Sequence, residues 1–149
     1  MAIKGPASLA AEHDELHKEL LPLTKIPGKI GEAAKAVAAA LHPHFVKEEE
    51  YAVPPLGLLP ALAQGRITPE MKDALEMTER LKRDLPEMLA EHKAIVRALD
   101  HLTSVAKAEG QPQYARFAEK LALHARTEEE VLYPAAILVG EYLKLKLKQ

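Results

Sequence analysis

The sequence predicts an all-α protein: an antiparallel, up-down four-helix bundle with a longer connection between its second and third helices. Three observations predict it. Ala, Leu, Glu and Lys dominate, and all are good helix formers. Strand signals are nearly missing, with two Phe, four Tyr, no Trp and no sustained apolar/polar alternation before the last residues. Four stretches carry apolar residues at a 3.6-residue rhythm, and the chain repeats itself once.

The first helix is predicted from about Ser8 to Leu23. Ser8 is a weak N-cap, because Ala11 rather than Glu stands three residues on. The second is predicted from about Gly28 to Tyr51, ending before Pro54-Pro55, with Pro43 bending or breaking it one turn before its polar end. Residues 55–68, rich in Pro, Gly and Leu, form the connection. Thr68-Pro69 reads as N-cap and N1 of a third helix toward Gly110, kinked or broken at Pro86. The fourth begins near Pro112 and ends about Gly140, leaving 141–149 as a Lys/Leu tail.

The length, 149 residues, suits a single domain spanning 1–149 with one core. Net charge is −2, from 20 basic and 22 acidic residues, so nothing argues for a nucleic-acid partner. No apolar run is long enough for stable membrane insertion. The first residues lack a continuous apolar stretch, which makes the cytoplasm the default compartment. The Lys/Leu tail reads as a solvated end or an oligomer contact, in a monomer or a homodimer. There is no cysteine. Disulfides, thiolate sites and iron–sulfur clusters are therefore excluded, and any metal must be held by His, carboxylate or backbone oxygen.

The repeat is the most informative feature after the histidines. Glu12-His13 with Leu16 and Leu20 matches Glu91-His92 with Ile95 and Leu99. His44-x-x-x-Glu48 with Pro54 matches His124-x-x-x-Glu128 with Pro134. The first His precedes the second by 31 residues in one half and by 32 in the other. Two hairpins of this kind, packed about a pseudo-twofold axis, make a four-helix bundle.

Each helix carries a His where its apolar seam calls for a hydrophobic residue. The seams run Leu9, His13, Leu16, Leu20; then Val37, Leu41, His44, Glu48; then Met88, His92, Ile95, Leu99; then Leu121, His124, Glu128, Val131. Residues four apart share a helix face, so each His and Glu of a His-x-x-x-Glu segment can serve one site. A lone core His is more often satisfied by a hydrogen bond than by a metal. Four imidazoles and two carboxylates in a repeated pattern are another matter. Burying them unpaired costs several kcal/mol per charged group, and two cations remove that penalty. Four His, two bridging carboxylates and a shared solvent oxygen fill about ten of the twelve positions of an octahedral pair. Mixed N/O donors with open positions suit two iron ions, with manganese or zinc as alternatives. Open positions imply a small diatomic ligand or peroxide.

The pattern His…His-x-x-x-Glu…His…His-x-x-x-Glu, with the phrases EHDELH, HFVKEEEYAVPPL, EHKAIVRAL and HARTEEEVLYP, resembles the hemerythrin-like, or HHE cation-binding, domain over nearly the whole chain. The resemblance implies a four-helix bundle around a non-heme di-iron centre. It implies His13, His44, His92 and His124 as terminal metal ligands and Glu48 and Glu128 as bridges. Oxygen-carrying hemerythrins have another His one turn after the third-helix ligand; here that position is Val96. That departure argues against simple oxygen carriage. The six-ligand pattern is more similar to relatives tied to redox or oxygen sensing, or to stress from nitric oxide and peroxide. The alternatives it leaves are a di-iron oxidase or peroxidase-type enzyme and an iron-storage or iron-donor protein. The ferritin-like Glu-x-x-His arrangement is absent, since no His has Glu three residues before it.

Glu49 and Glu129 are the substitutes for Glu48 and Glu128, one residue away. His17, His42 and His101 are expected at the surface, with a place beside the site or a spare ligand as the alternative for His17. Tyr51 and Tyr133, which follow the two carboxylate motifs, are expected to pack, with hydrogen bonding near the site as the alternative.

Overall fold

The structure, a computed structural model, describes residues 3–148, so Met1, Ala2 and Gln149 of the expected domain lie outside it. It contains α1 (Ala7–Leu23), α2 (Lys29–Lys47), a short α3 (Leu59–Ala63), α4 (Asp73–Ala108), α5 (Pro112–Thr127) and α6 (Tyr133–Leu147), with no strand among the described residues. Each of α1, α2, α4 and α5 touches the next, and α5 returns to α1, which closes the four-helix bundle. The fold class is as the sequence predicts. No described helix is long and apolar enough to cross a membrane.

Several boundaries differ from expectation. Pro43 and Pro86 break nothing: α2 and α4 run through them. Both prolines lie on the exposed face, where the carbonyl left unbonded four residues earlier can face solvent. The third long helix starts at Asp73, after a 3₁₀ turn over Pro69–Lys72, and Thr68 makes no side-chain cap. Gly110, at φ +70°, supplies the left-handed residue that lets α4 stop and α5 begin. The Lys/Leu segment is helical to Leu147. Gly140 is a close helix crossing rather than an end: a Cβ there would lie 2.1 Å from Thr78 Oγ1 on α4.

Two π-helical turns are the decisive local feature. One spans Glu48–Ala52 and the other Glu128–Leu132. Each starts on the Glu of a His-x-x-x-Glu segment, and each closes with an N–H five residues on, from Val53 to Glu48 O and from Tyr133 to Glu128 O. Pro54 and Pro134 follow these turns; lacking an N–H, they leave the carbonyls of Glu50 and Glu130 without an α-type partner, which favours the wider turn without dictating it. Such turns concentrate at functional sites. After the first, the chain leaves the bundle through the 3₁₀ turn Pro54–Leu58; after the second it continues as α6.

The core is layered along the bundle. One apolar layer includes Leu16, Leu41, Phe45, Ile95 and Leu121. Another includes Tyr51, Leu81, Met88 and Tyr133, with Leu9 against it. On every helix the site residues fall between the two. A fully buried Leu contributes about 1.5–3 kcal/mol, so each layer stabilises the fold while keeping water from the polar shelf between.

Candidate metal centre

His13, His44, Glu48, His92, His124 and Glu128 are all buried, and all six point into the shelf between the layers. They fall into two overlapping groups. His44, Glu48, His92 and Glu128 converge in one; His13, His124 and Glu128 converge in the other. Each group draws on both halves of the chain. Glu49 and Glu129 are exposed, so the structure turns the first Glu of each acidic run inward and the second outward.

The distances describe a tight shelf. His92 Nε2 lies 3.1 Å from Glu128 Oε1, and His124 Nε2 lies 3.2 Å from Glu128 Oε2. His13 Nε2 is 3.1 Å from His124 Nε2 and 3.5 Å from Glu128 Oε2. His44 Nε2 is 3.4 Å from Glu48 Oε1. Yet Glu48 Oε1 and Glu128 Oε2 are buried with no hydrogen-bond partner. These nitrogens and oxygens crowd one another, and the two oxygens left without a partner are of the kind a cation satisfies.

A ring of carboxylates stands behind the imidazoles. Glu91 accepts from His44 Nδ1 at 2.8 Å, Glu129 from His92 Nδ1 at 3.0 Å, and Glu12 from His124 Nδ1. Such partners fix the tautomer and aim Nε2 inward. Lys47 in turn bonds Glu91, at 2.6 Å, and Glu87. His13 has no such carboxylate among the described residues. Phe45 stacks on its ring at 4.2 Å instead.

The electrostatics follow from burial. Burial, and then the neighbouring Glu128, push the Glu48 carboxyl well above its ordinary range. Burial works against charge on Glu128 too, but its contacts with Glu48 and with the imidazoles of His124, His13 and His92 outweigh it and hold its carboxyl well down. Burial lowers His44. Burial opposes charge on His92 and His124, but Glu128, with Glu129 beside His92 and Glu12 beside His124, outweighs it and raises both. The two carboxyls are thus driven in opposite directions.

Of the remaining residues, His17, His42 and His101 are exposed as expected. Tyr51 packs as expected, with its hydroxyl on Met88 Sδ and Asp84 and the Arg80 guanidinium 4.2 Å over its ring. Tyr133 packs as expected and also takes the alternative role, hydrogen bonding at the site. Its Oη lies 3.0 Å from His44 Nε2, 3.0 Å from His92 Nε2 and 3.0 Å from Glu48 Oε2. The 3.6-residue rhythm does not bring it there, since five residues after Glu128 an α-helix faces elsewhere. That rhythm put Val131 on the seam instead, and Val131 is 55% exposed. The mark in the sequence is the acidic run followed by Tyr133-Pro134, matched by Pro54 after the first π turn.

The chain belongs to the hemerythrin family: the family model for the hemerythrin HHE cation binding domain matches residues 5–136. No curated protein and no solved structure matches the chain. With that fold and the buried His/Glu cluster, this is a metal-binding protein of the hemerythrin class.

Proposed function

We propose that this chain is a non-heme di-iron protein that binds dioxygen, peroxide or nitric oxide at its metal pair and serves redox or oxygen sensing or a stress response. His13, His44, His92 and His124 are the terminal ligands, and Glu48 and Glu128 bridge. The observation that carries this reading is the pair of orphaned oxygens, Glu48 Oε1 and Glu128 Oε2, buried among imidazole nitrogens. An unsatisfied buried polar group costs about 1–3 kcal/mol, and more when charged. Cations among these donors satisfy both oxygens at once.

The donor set fits iron: nitrogen and carboxylate oxygen, no sulfur, and fewer protein donors than two octahedral ions require. Bound iron supplies redox and Lewis-acid chemistry and a place for a small ligand. The chain's own residues do the rest. Glu12, Glu91 and Glu129 orient three of the imidazoles, the apolar layers exclude water, and Val96 offers no donor where a fifth His would close the set.

Elemental analysis of protein purified without a metal-binding tag tests this, together with a visible spectrum before and after azide or peroxide. Two irons per chain are expected, with charge-transfer bands that shift on adding either ligand. His92→Ala and Glu128→Ala are expected to lose the pair. A colourless protein, unchanged after iron loading, would sink the proposal.

A further inference from the structure

Tyr133 is a buried polar group on the shelf itself that the six-residue set leaves out. It is 2% exposed, and its hydroxyl is equidistant, at 3.0 Å, from two imidazole nitrogens and one carboxylate oxygen of that set. Those spacings have a geometric meaning. Neighbouring donors of an octahedron with bonds of about 2.1 Å are separated by √2 times that length, about 3.0 Å. The phenol oxygen therefore stands where a vertex adjacent to His44 Nε2, His92 Nε2 and Glu48 Oε2 would fall.

We infer that Tyr133 is a seventh protein ligand, bound through its phenolate oxygen to the metal held by His44 and His92 and not to its neighbour. The inference rests on the di-metal reading above. Binding forms one metal–oxygen bond and releases the phenolic proton to solvent.

The other half of the site has no counterpart. The residue that the first π turn places five after its Glu is Val53, which carries no donor atom. Both sides have a cleft, so the difference lies in the donors. On the Tyr133 side a cleft of about 350 Å³ is lined by Leu85, Glu129, Tyr133 and Ile137. On the His13 side, a cleft of about 180 Å³ lined by His13, His17 and Glu49 and another of about 140 Å³ lined by Ala10, His13 and Val53 reach the ring. With Tyr133 bound, the His44/His92 metal has a full set of six donors. The His13/His124 metal alone keeps a free position, next to those clefts. An exogenous anion then binds once per pair, not twice.

The test uses the full chain loaded with iron and oxidised, with azide as the probe. Two irons per chain, a phenolate-to-iron(III) charge-transfer band and phenolate ring modes in resonance Raman are expected. Tyr133→Phe should keep both irons and lose band and modes, while Tyr51→Phe should keep them. Azide should saturate at one equivalent per pair in the parent protein and at two in Tyr133→Phe. Two irons with no phenolate modes, or modes that survive Tyr133→Phe, would overturn the assignment while leaving the di-iron reading intact. Failure to bind iron at all would remove both, and the iron count separates the two failures.

Discussion

The two hairpins supply the same three residues, two His and one Glu, at nearly the same spacing, yet they surround them differently. In the second half, His92 is held by Glu129, and the helix beyond Glu128 carries a tyrosine back to the shelf. In the first half, His13 leans on Phe45 and two clefts, Glu49 bonds no ring, and the chain turns away at Pro54-Pro55. Equal ligands with unequal support make two metal positions of different character. Symmetry in the ligand list is therefore a poor guide to symmetry in chemistry.

The largest test of this comparison asks whether the halves are joined through metal at all. Each ligand group spans both hairpins, so metal ties them together. Ligand at a thousand times its dissociation constant stabilises by about 4 kcal/mol, and a domain of this size shifts by about 2–4 °C per kcal/mol. Stripping the protein with a chelator should lower its melting temperature by roughly 10 °C in calorimetry. An unchanged melting curve would break the comparison at its root.

A smaller effect separates the halves. Losing a carboxylate behind a metal-bound imidazole costs about 10–100-fold in metal affinity. Glu129→Ala should show that loss in a competition titration with a chelator, whereas Glu49→Ala should show little. Equal losses would mean that Glu49 supports His13 in solution and that the halves are alike.

The smallest concerns α6, which only the second half has. Gly140→Ala puts a methyl against Thr78 and pushes α4 and α6 apart. Overpacking of this kind costs about 1–3 kcal/mol, a fall of a few degrees. Iron content should stay the same, because the clash falls between Thr78 and Gly140, several helical turns from His92 on α4 and beyond Glu128. Loss of iron in this variant would show that α6 is part of what holds the second half's site.

The bundle, its longer connection and the six converging residues were legible because each rests on periodicity and repeat. His44 and Glu48, or His124 and Glu128, share a face by helix geometry alone. Where α2 and α4 meet proline, propensity offered a bend or a break, and the break does not occur: exposed Pro43 and Pro86 remove hydrogen bonds without interrupting helices. Gly140 was misread as a stop for a related reason, since only the opposing Thr78 reveals why a small residue is needed there. Tyr133 was legible as a hydrogen-bond candidate from its place after the carboxylate motif, but a fixed 3.6-residue period could not bring it to the shelf, because the period changes locally. Glu12 and Glu91 sit at positions that look merely solvated until the neighbouring helix is in place, and Glu129, read as a substitute ligand, supports His92 instead.

The π turns have one more consequence. A wide turn is an extra residue locked into a helix, and everything after it is rephased. Upstream of Glu128 the buried face runs through Phe117, Leu121 and His124; downstream it restarts at Tyr133, Ala136, Gly140 and Leu143. The last long helix therefore keeps two clocks, one set by the ligands and one by the layer beneath. Removing a single residue between Glu128 and Tyr133 would let the ladder close as an ordinary α-helix. Ligands and lower core could then no longer both face inward, and the protein would have to choose between its site and its packing.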